Sequence, residues 1–360
     1  MKSKLSLKKA VASAWRPALA LVAAILVSSL ILVIFGYDVG ESYKAMFTAS
    51  FKNLRTLSNL INNSTPLLFC GLAVAISYRG SVFNIGAEGQ FIAGTIAACW
   101  VGVTFNTLPG IALIVLMMLA GALAGALWAY IPGMLKARYD INEVITTIMF
   151  NYIALNIIGC LTRTVLRDTN QADPQSFPIA EQGWMPYLIP GTKMNSGFVV
   201  AVLIAIVLYI VLFKTPFGFE VRSVGFNKIA SQYAGISVKN VTIKTMMIAG
   251  AVAGLGGAIE VTGASHYIFE KISNGFGYTG IAISVLANNN PLGVILSALL
   301  FGFLKTGSTT MQRLVNASAQ FTTVIQGIVI LFIAVSASSN ASTKRNKKSK
   351  EENKKEGEKV

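Results

Sequence analysis

Charge is what this chain has least of. Asp, Glu, Lys and Arg make up 12% of its 360 residues, about half the ~25% usual in a soluble domain. Histidine occurs once, at His266, so a metal centre built on several histidines is excluded. Cys70, Cys99 and Cys160 are the only cysteines. All three fall in or beside apolar runs without CxxC spacing and read as small buried core residues. HExxH, GxSxG and a Walker A lysine loop are missing, so no catalytic residue is assigned and an enzyme is not expected. The run from Gly250 to Ala258 lacks the GxGxxG spacing and sits in apolar sequence, where phosphate has no place. Gly250 and Gly254 share a helix face, as do Gly121 and Gly125, which suits close helix packing.

What fills the chain instead is hydrophobic sequence. Hydrophobic residues make up 54% of it, and the mean hydropathy is +0.61. Apolar runs approaching the ~20 residues that span a bilayer lie near 18–35, 57–77, 85–105, 110–131, 143–161, 197–213, 241–262, 277–287, 292–304 and 321–337. The expected fold is all-α, a polytopic transmembrane helical bundle of about ten spans, with one or two runs broken or re-entrant. A closed barrel would show alternating segments of about 10 residues instead.

An even number of spans puts both termini on one side. Segments assigned to the cytoplasm on this basis hold 21 of the 30 Lys and Arg, and outer segments hold eight. That excess places both termini inside. The net charge of +15 follows from this topology and does not call for nucleic acid. The organisation is then a cytoplasmic basic N-terminus at 1–17, a transmembrane domain at 18–340 and a disordered basic cytoplasmic tail at 341–360. The tail is low in complexity and attracted to anionic membrane lipid. Residues 44–55 suit an amphipathic interfacial helix. The polar outer segment 163–196 either docks an extracytoplasmic partner or covers the outer mouth.

Three polar constellations interrupt the apolar background. Asn84, Glu88 and Gln90, with Gly86 and Gly89, open a span. A carboxylate and two amides there either line a solute pathway through a broken helix or sit solvated or capping at the interface. Asn142, Thr146 and Asn151 recur along the next helix start, where they contact a polar solute or tie helices together. The third is the polar island 214–244 between two apolar runs. Asn227 or Ser223 suits a helix cap there, and Gly235 suits a helix end. Ile229, Tyr233 and Ile236 share a face, which fits a short helix plugging into a soluble partner or one lying on the membrane surface.

Phe83-Asn-Ile-Gly-Ala-Glu-Gly-Gln90, Ile141-Asn-Glu-Val-Ile-Thr-Thr-Ile148 with Asn151-Tyr152, the 218–235 loop, and Gly280-Ile-Ala-Ile-Ser with Pro291-Leu-Gly293 carry a resemblance. Over residues 15–340 the chain resembles the ABC importer permeases of the branched-chain amino acid and simple sugar superfamily, and within it the nucleoside (guanosine) branch. The resemblance implies a multi-pass permease of the bacterial plasma membrane that imports nucleosides. It also implies that Glu220, Arg222, Gly225, Asn227, Lys228, Ala230, Tyr233 and Gly235 form a coupling loop for a cytosolic ABC ATPase. A second homologous permease and an extracytoplasmic substrate-binding lipoprotein complete the implied assembly. ATP would bind the ATPase, so no cofactor is expected in this chain. Alternative cargoes are simple sugars or branched-chain amino acids. An ion-coupled secondary transporter would need a titratable group at mid-membrane, where Glu260 and Lys305 are the other charged residues near spans.

Overall fold

The computed structural model describes residues 22–314, apart from 24, 31 and 190, together with 324, 327 and 328. The expected N-terminal segment 1–17, most of the run at 321–337 and the tail at 341–360 lie outside the described residues. Those described are helical, with no extended strand among them. Among the described residues the only pairings are isolated bridges, Arg167 to Ser176, Gln175 to Phe269 and Tyr187 to Asn195.

The chain divides into two compact units, one of Met1–Phe47 with Gly307–Val360 and one of Thr48–Thr306. In the first unit an apolar helix runs over Ile25–Ile34. The Tyr43 hydroxyl donates to the Ile25 carbonyl at 3.1 Å. Gly307 packs on the Met46 side chain, where a Cβ would collide.

The helices that follow are α1 (Val39–Phe51), α2 (Leu54–Arg79), α3 (Ala87–Thr104), α4 (Gly110–Tyr139), α5 (Glu143–Arg163), α6 (Gly197–Lys214), α7 (Pro216–Phe226), α8 (Lys228–Tyr233), α9 (Val238–Glu260), α10 (Phe276–Leu286) and α11 (Pro291–Leu314). Six helical segments among the described residues are long and apolar enough to cross a membrane: α2, α4, α5, α6, Val238–Ser265 and Pro291–Met311. The expected interfacial helix at 44–55 is divided instead. α1 stops at Phe51, and Asn53 opens α2 through a capping box in which its side chain accepts the Thr56 N–H at 2.9 Å. A local cap outranks the amphipathic pattern there.

Every residue of α2 from Ser64 to Ser77 is buried. It is the central helix, apolar on all sides as a fully surrounded helix must be. α4 behaves differently. Ile111, Leu119, Leu123 and Leu127 are 56–82% exposed along one side, a stripe that suits lipid rather than water. Its other side meets α9 through glycines. A Cβ on Gly125 or Gly254 would strike backbone of the opposite helix, and Gly94 of α3 meets the same point. The glycine faces at 121/125 and 250/254 therefore bring three helix backbones into direct contact, where dispersion acts at its shortest range.

Two elements depart from simple spans. α10 has 11 residues, a length of about 16 Å, so it is a half-span. It ends in a turn in which Asn288 and Asn289 adopt φ of 51° and 54°. The Arg79 guanidinium at the end of α2 donates to both their carbonyls at 2.9 Å. α9 runs on through a π-turn, Val261–Ser265, and stops at His266, whose φ is 64°. Residues 164–196 fold over this end of the bundle: Ile179 N–H donates to the His266 carbonyl at 2.8 Å and Met185 N–H to that of Thr262 at 2.8 Å. Trp184 stacks on His266 with ring centroids 4.0 Å apart. Cys70 and Cys99 are buried, but Cys160 is exposed. It lies on the outer side of α5, so an apolar run did not in its case mean the core.

Candidate functional site

After α2 the chain turns at Gly80 and Ser81 and enters α3 through a short irregular stretch. The backbone polar groups of such a stretch need partners once buried, and the first constellation supplies them. Asn84 is fully buried. Its Oδ1 accepts the Gly86 N–H at 2.9 Å, and it forms a reciprocal amide pair with Gln90, both bonds 3.1 Å. Asn151 of α5, also fully buried, accepts the Gly89 N–H at 2.8 Å. It donates to the Ile85 carbonyl at 3.0 Å and to the Tyr278 hydroxyl at 3.3 Å. One asparagine thus satisfies an orphan donor in the first turn of α3 and joins three elements.

Glu88 completes the knot. It is 2% exposed, so it is not a solvated interfacial residue. Its Oε1 accepts the Gly275 N–H at 3.2 Å, and its Oε2 accepts the Gly277 N–H at 2.6 Å. These donors open α10, whose own N-cap residue, Gly275, has no side chain to offer. A carboxylate from α3 therefore caps a half-helix 187 positions away along the chain, where the positive end of the helix dipole favours negative charge. Gly277 permits the approach, since a Cβ there would collide with Glu88 backbone.

Asn84, Glu88, Gln90 and Asn151 come together in this way, but Asn142 and Thr146 do not join them. Asn142 is exposed and caps α5 by accepting the Val144 N–H at 2.9 Å. The Thr146 hydroxyl donates back to the carbonyls of Asn142 and Glu143 at 3.3 and 3.2 Å. Nine positions along a helix separate Asn142 from Asn151, about 13 Å.

Tertiary packing adds residues that sequence reasoning did not join to this site. Tyr278 contributes its hydroxyl to Asn151. Lys305 of α11 places its Nζ 3.8 Å from the centroid of the Phe276 ring, a cation–π contact beside the Glu88 cap. It lies within electrostatic reach of Glu260 and Glu88. A lysine inside an apolar run was the available signal, but nothing in the sequence says which aromatic ring it meets.

The polar island forms two short helices. Thr215 caps α7, accepting the Gly218 N–H at 3.2 Å. Asn227 breaks the chain at φ −157° and ψ 107° and caps α8 by accepting the Ala230 N–H at 3.0 Å. Gly235 ends the turn at φ +81°. The expected cap at Asn227 and stop at Gly235 are both there, but the single helix is two. α7 is anchored from below. Arg222, held along its own helix by a 3.2 Å bond to the Gly218 carbonyl, lies over the Phe213 ring of α6, and Gly225 packs on the Arg79 carbonyl. The tip is unanchored: Phe226, Ile229 and Tyr233 are 87%, 69% and 90% exposed. Ile236, expected on their face, is half-buried. Large apolar side chains this bare on a polar loop suit contact with another molecule.

The chain is similar to known transport proteins along most of its length. The family model described as branched-chain amino acid transport system / permease component matches residues 56–334. The chain is 37% identical to the guanosine ABC transporter permease protein NupP of Bacillus subtilis, over 89% of this chain and 92% of that one. It is 33% identical to the nucleoside ABC transporter permease protein NupB of Lactococcus lactis, over 89% and 90%. It is 34% identical to the glucose ABC transporter permease protein TsgB13 of Haloferax volcanii, over 89% and 87%.

Proposed function

Since the chain belongs to the branched-chain amino acid transport system permease family and is a permease component of an ABC importer rather than an enzyme, we propose that its cargo is a nucleoside. The observation that carries this is the 37% identity to a guanosine permease across 89% of the chain, joined by the nucleoside permease at 33%. A simple sugar is the second reading, favoured by the glucose permease at 34% identity. Uptake of labelled guanosine, glucose and leucine by cells with and without the chain separates them. Guanosine uptake that depends on the chain and fails on ATP depletion, yet survives a proton uncoupler, is the expected result. Chain-dependent glucose uptake without guanosine uptake overturns the nucleoside reading.

The permease works with an ATPase and a substrate-binding partner. The ATPase is proposed to sit in the cytosol and dock on the coupling loop at 214–240. Glu220, Arg222, Gly225, Asn227, Lys228, Ala230, Tyr233 and Gly235 would shape this surface, and Phe226 and Ile229 would add its bare apolar tip. ATP belongs to that partner, so this chain carries no cofactor in the proposal. A second homologous permease and an extracytoplasmic lipoprotein complete the proposed assembly. The domain is proposed to run from 18 to 340 with about ten spans in a bacterial plasma membrane, with segments 1–17 and 341–360 on the cytoplasmic side. The excess of Lys and Arg in inner segments supports that orientation.

The solute pathway is proposed to pass the knot of Asn84, Glu88, Gln90 and Asn151 and to leave near Asn142 and Thr146. Two half-open elements meet at the knot, the start of α3 and the start of α10. Irregular backbone at membrane depth is tolerated where protein or a cavity surrounds it. Closure of the ATPase dimer would move α7 and α8, and Gly225 against Arg79 gives that motion a direct contact with α2. Arg79 in turn holds the turn after α10, so the loop and the half-helix share one anchor. Differential affinity of the two states for the cargo sets the direction of import.

A further inference from the structure

We propose that a basic cavity beside α8 is a binding site for a phosphate-bearing anion, supplied by the headgroup of an anionic membrane lipid. The cavity has a volume of about 400 Å³ and is lined by Lys136, Arg138, Asp140, Lys228 and Lys239, with alkyl wall from Ile236 and Val238. That size lies in the range of about 300–1,000 Å³ typical of ligand sites. It is formed by the end of α4, by Lys228 and Gln232 of α8 with the turn after it, and by the start of α9, and it does not include the bare tip residues Phe226, Ile229 and Tyr233. The cavity shares Lys228 with the proposed docking surface but leaves out its bare tip.

The charges in it are unbalanced. Lys136 is committed, with its Nζ 2.8 Å from Asp140 and 3.1 Å from Glu143. Lys136 also holds the Asp140 carboxyl below its ordinary range. Arg138, Lys228 and Lys239 make no ion pair among the described residues. Three unpaired cations thus face one cavity. The first turn of α9 adds unsatisfied N–H donors to the same wall, because Ser237 makes no side-chain cap there. Phosphate is the anion whose several acceptor oxygens suit guanidinium, ammonium and amide donors together.

The level of the cavity selects the lipid. α4 and Val238–Ser265 are both membrane-length helices, and the cavity lies where they reach their polar ends. Basic cavities between such helices on the cytoplasmic side suit anionic headgroups. Lys228 and Lys239 belong to the 214–240 loop proposed to meet the ATPase, so headgroup binding would steady α8 for docking. The inference draws on the charge-based orientation and not on the identity of the cargo.

The test is native mass spectrometry of the purified full chain in detergent, titrated with phosphatidylglycerol, with phosphatidylcholine, or with inorganic phosphate. Phosphatidylglycerol adducts are expected at concentrations where phosphatidylcholine gives none. Arg138→Gln with Lys239→Gln should weaken phosphatidylglycerol binding about 30-fold, taking about 1 kcal/mol per cation and 1.4 kcal/mol per tenfold. Asp140→Asn should tighten it about 5-fold on the same constants. Asn tolerates the φ of 51° found there, and a gain in binding cannot arise from misfolding. Adducts that persist in excess phosphate identify the lipid as the source, whereas displacement by phosphate alone identifies a soluble phosphate compound at the same site. Equal binding of both lipids, or unchanged binding in the variants, overturns the proposal. So does a double variant that keeps its lipid but loses a co-purifying ATPase, since the cavity would then belong to the subunit contact.

Discussion

Replacing Glu88 with Gln should loosen α10 before it unfolds anything else. The carboxylate gives one oxygen to each of two N–H groups, at 3.2 Å to Gly275 and 2.6 Å to Gly277. The amide of Gln keeps one acceptor oxygen and presents an NH₂ to the other donor. One buried N–H without an acceptor costs about 1–3 kcal/mol. Losing the charge at a helix N-terminus removes about 0.3–1 kcal/mol more. The sum of about 1.5–4 kcal/mol corresponds to a rise of about 10- to 1,000-fold in local opening, at 1.4 kcal/mol per tenfold. Hydrogen exchange of residues 276–286 in the purified chain reads this directly, because opening free energies differ between segments of one protein. Faster exchange should concentrate in α10 and spare α4 and α9, whose contact runs through Gly125 and Gly254. Glu88→Ala leaves both donors without an acceptor and should exceed the Gln variant. Unchanged exchange in α10 would refute the cap. Transport lost without any change in α10 exchange would show instead that Glu88 acts on the solute.

Three further outcomes follow from the same contacts. Phe226→Ala with Tyr233→Ala should abolish transport and recovery of the ATPase. Both residues are nearly bare, so stability should change by less than about 0.5 kcal/mol; an ATPase that still co-purifies would refute the docking tip. This pair is a cleaner probe than Gly235→Pro, because proline holds φ near −65° and cannot adopt the +81° seen there. Gly254→Val should depress the yield of folded chain, measured by size-exclusion chromatography in detergent. Its Cβ would strike the backbone of α4, and overpacking of this kind costs about 1–3 kcal/mol or more. The third outcome concerns pH. Burial pushes His266 below its ordinary 6.5, so the unfolded state binds the proton more readily than the folded one. Stability is complete above 6.5 and falls as pH drops towards the lower folded value. Thermal unfolding near pH 5.5 should therefore come earlier than near pH 7.5, and His266→Asn, which tolerates the local φ, should shrink the difference. An unchanged difference would refute the assignment.

The regular parts of this molecule were legible for a simple reason. A helix that must live in lipid writes its length and composition into a contiguous stretch of chain, and 197–213 returned as Gly197–Lys214 almost unchanged. Glycines four apart announced helix contact, and α4 met α9 through those at 121/125 and 250/254. The cap at Asn227 was equally readable, because its side chain bonds to a donor three positions away. The candidate site was legible only as a set of residue types. Asn142 and Asn151 look alike in sequence, yet one caps its own helix at the surface and the other holds three buried elements together.

By itself, then, the sequence determined that this is a helical membrane protein, roughly where its long helices lie, and where a polar loop interrupts them. It could do so because bilayer length, charge asymmetry and capping act over a few turns of chain. Only the tertiary structure decided that Glu88 caps a half-helix, that Lys305 lies over Phe276 and that three unpaired cations share a cavity beside α8. Those outcomes depend on groups as many as 187 positions apart, and their energies exist only after helix packing has removed the water and brought the partners into contact.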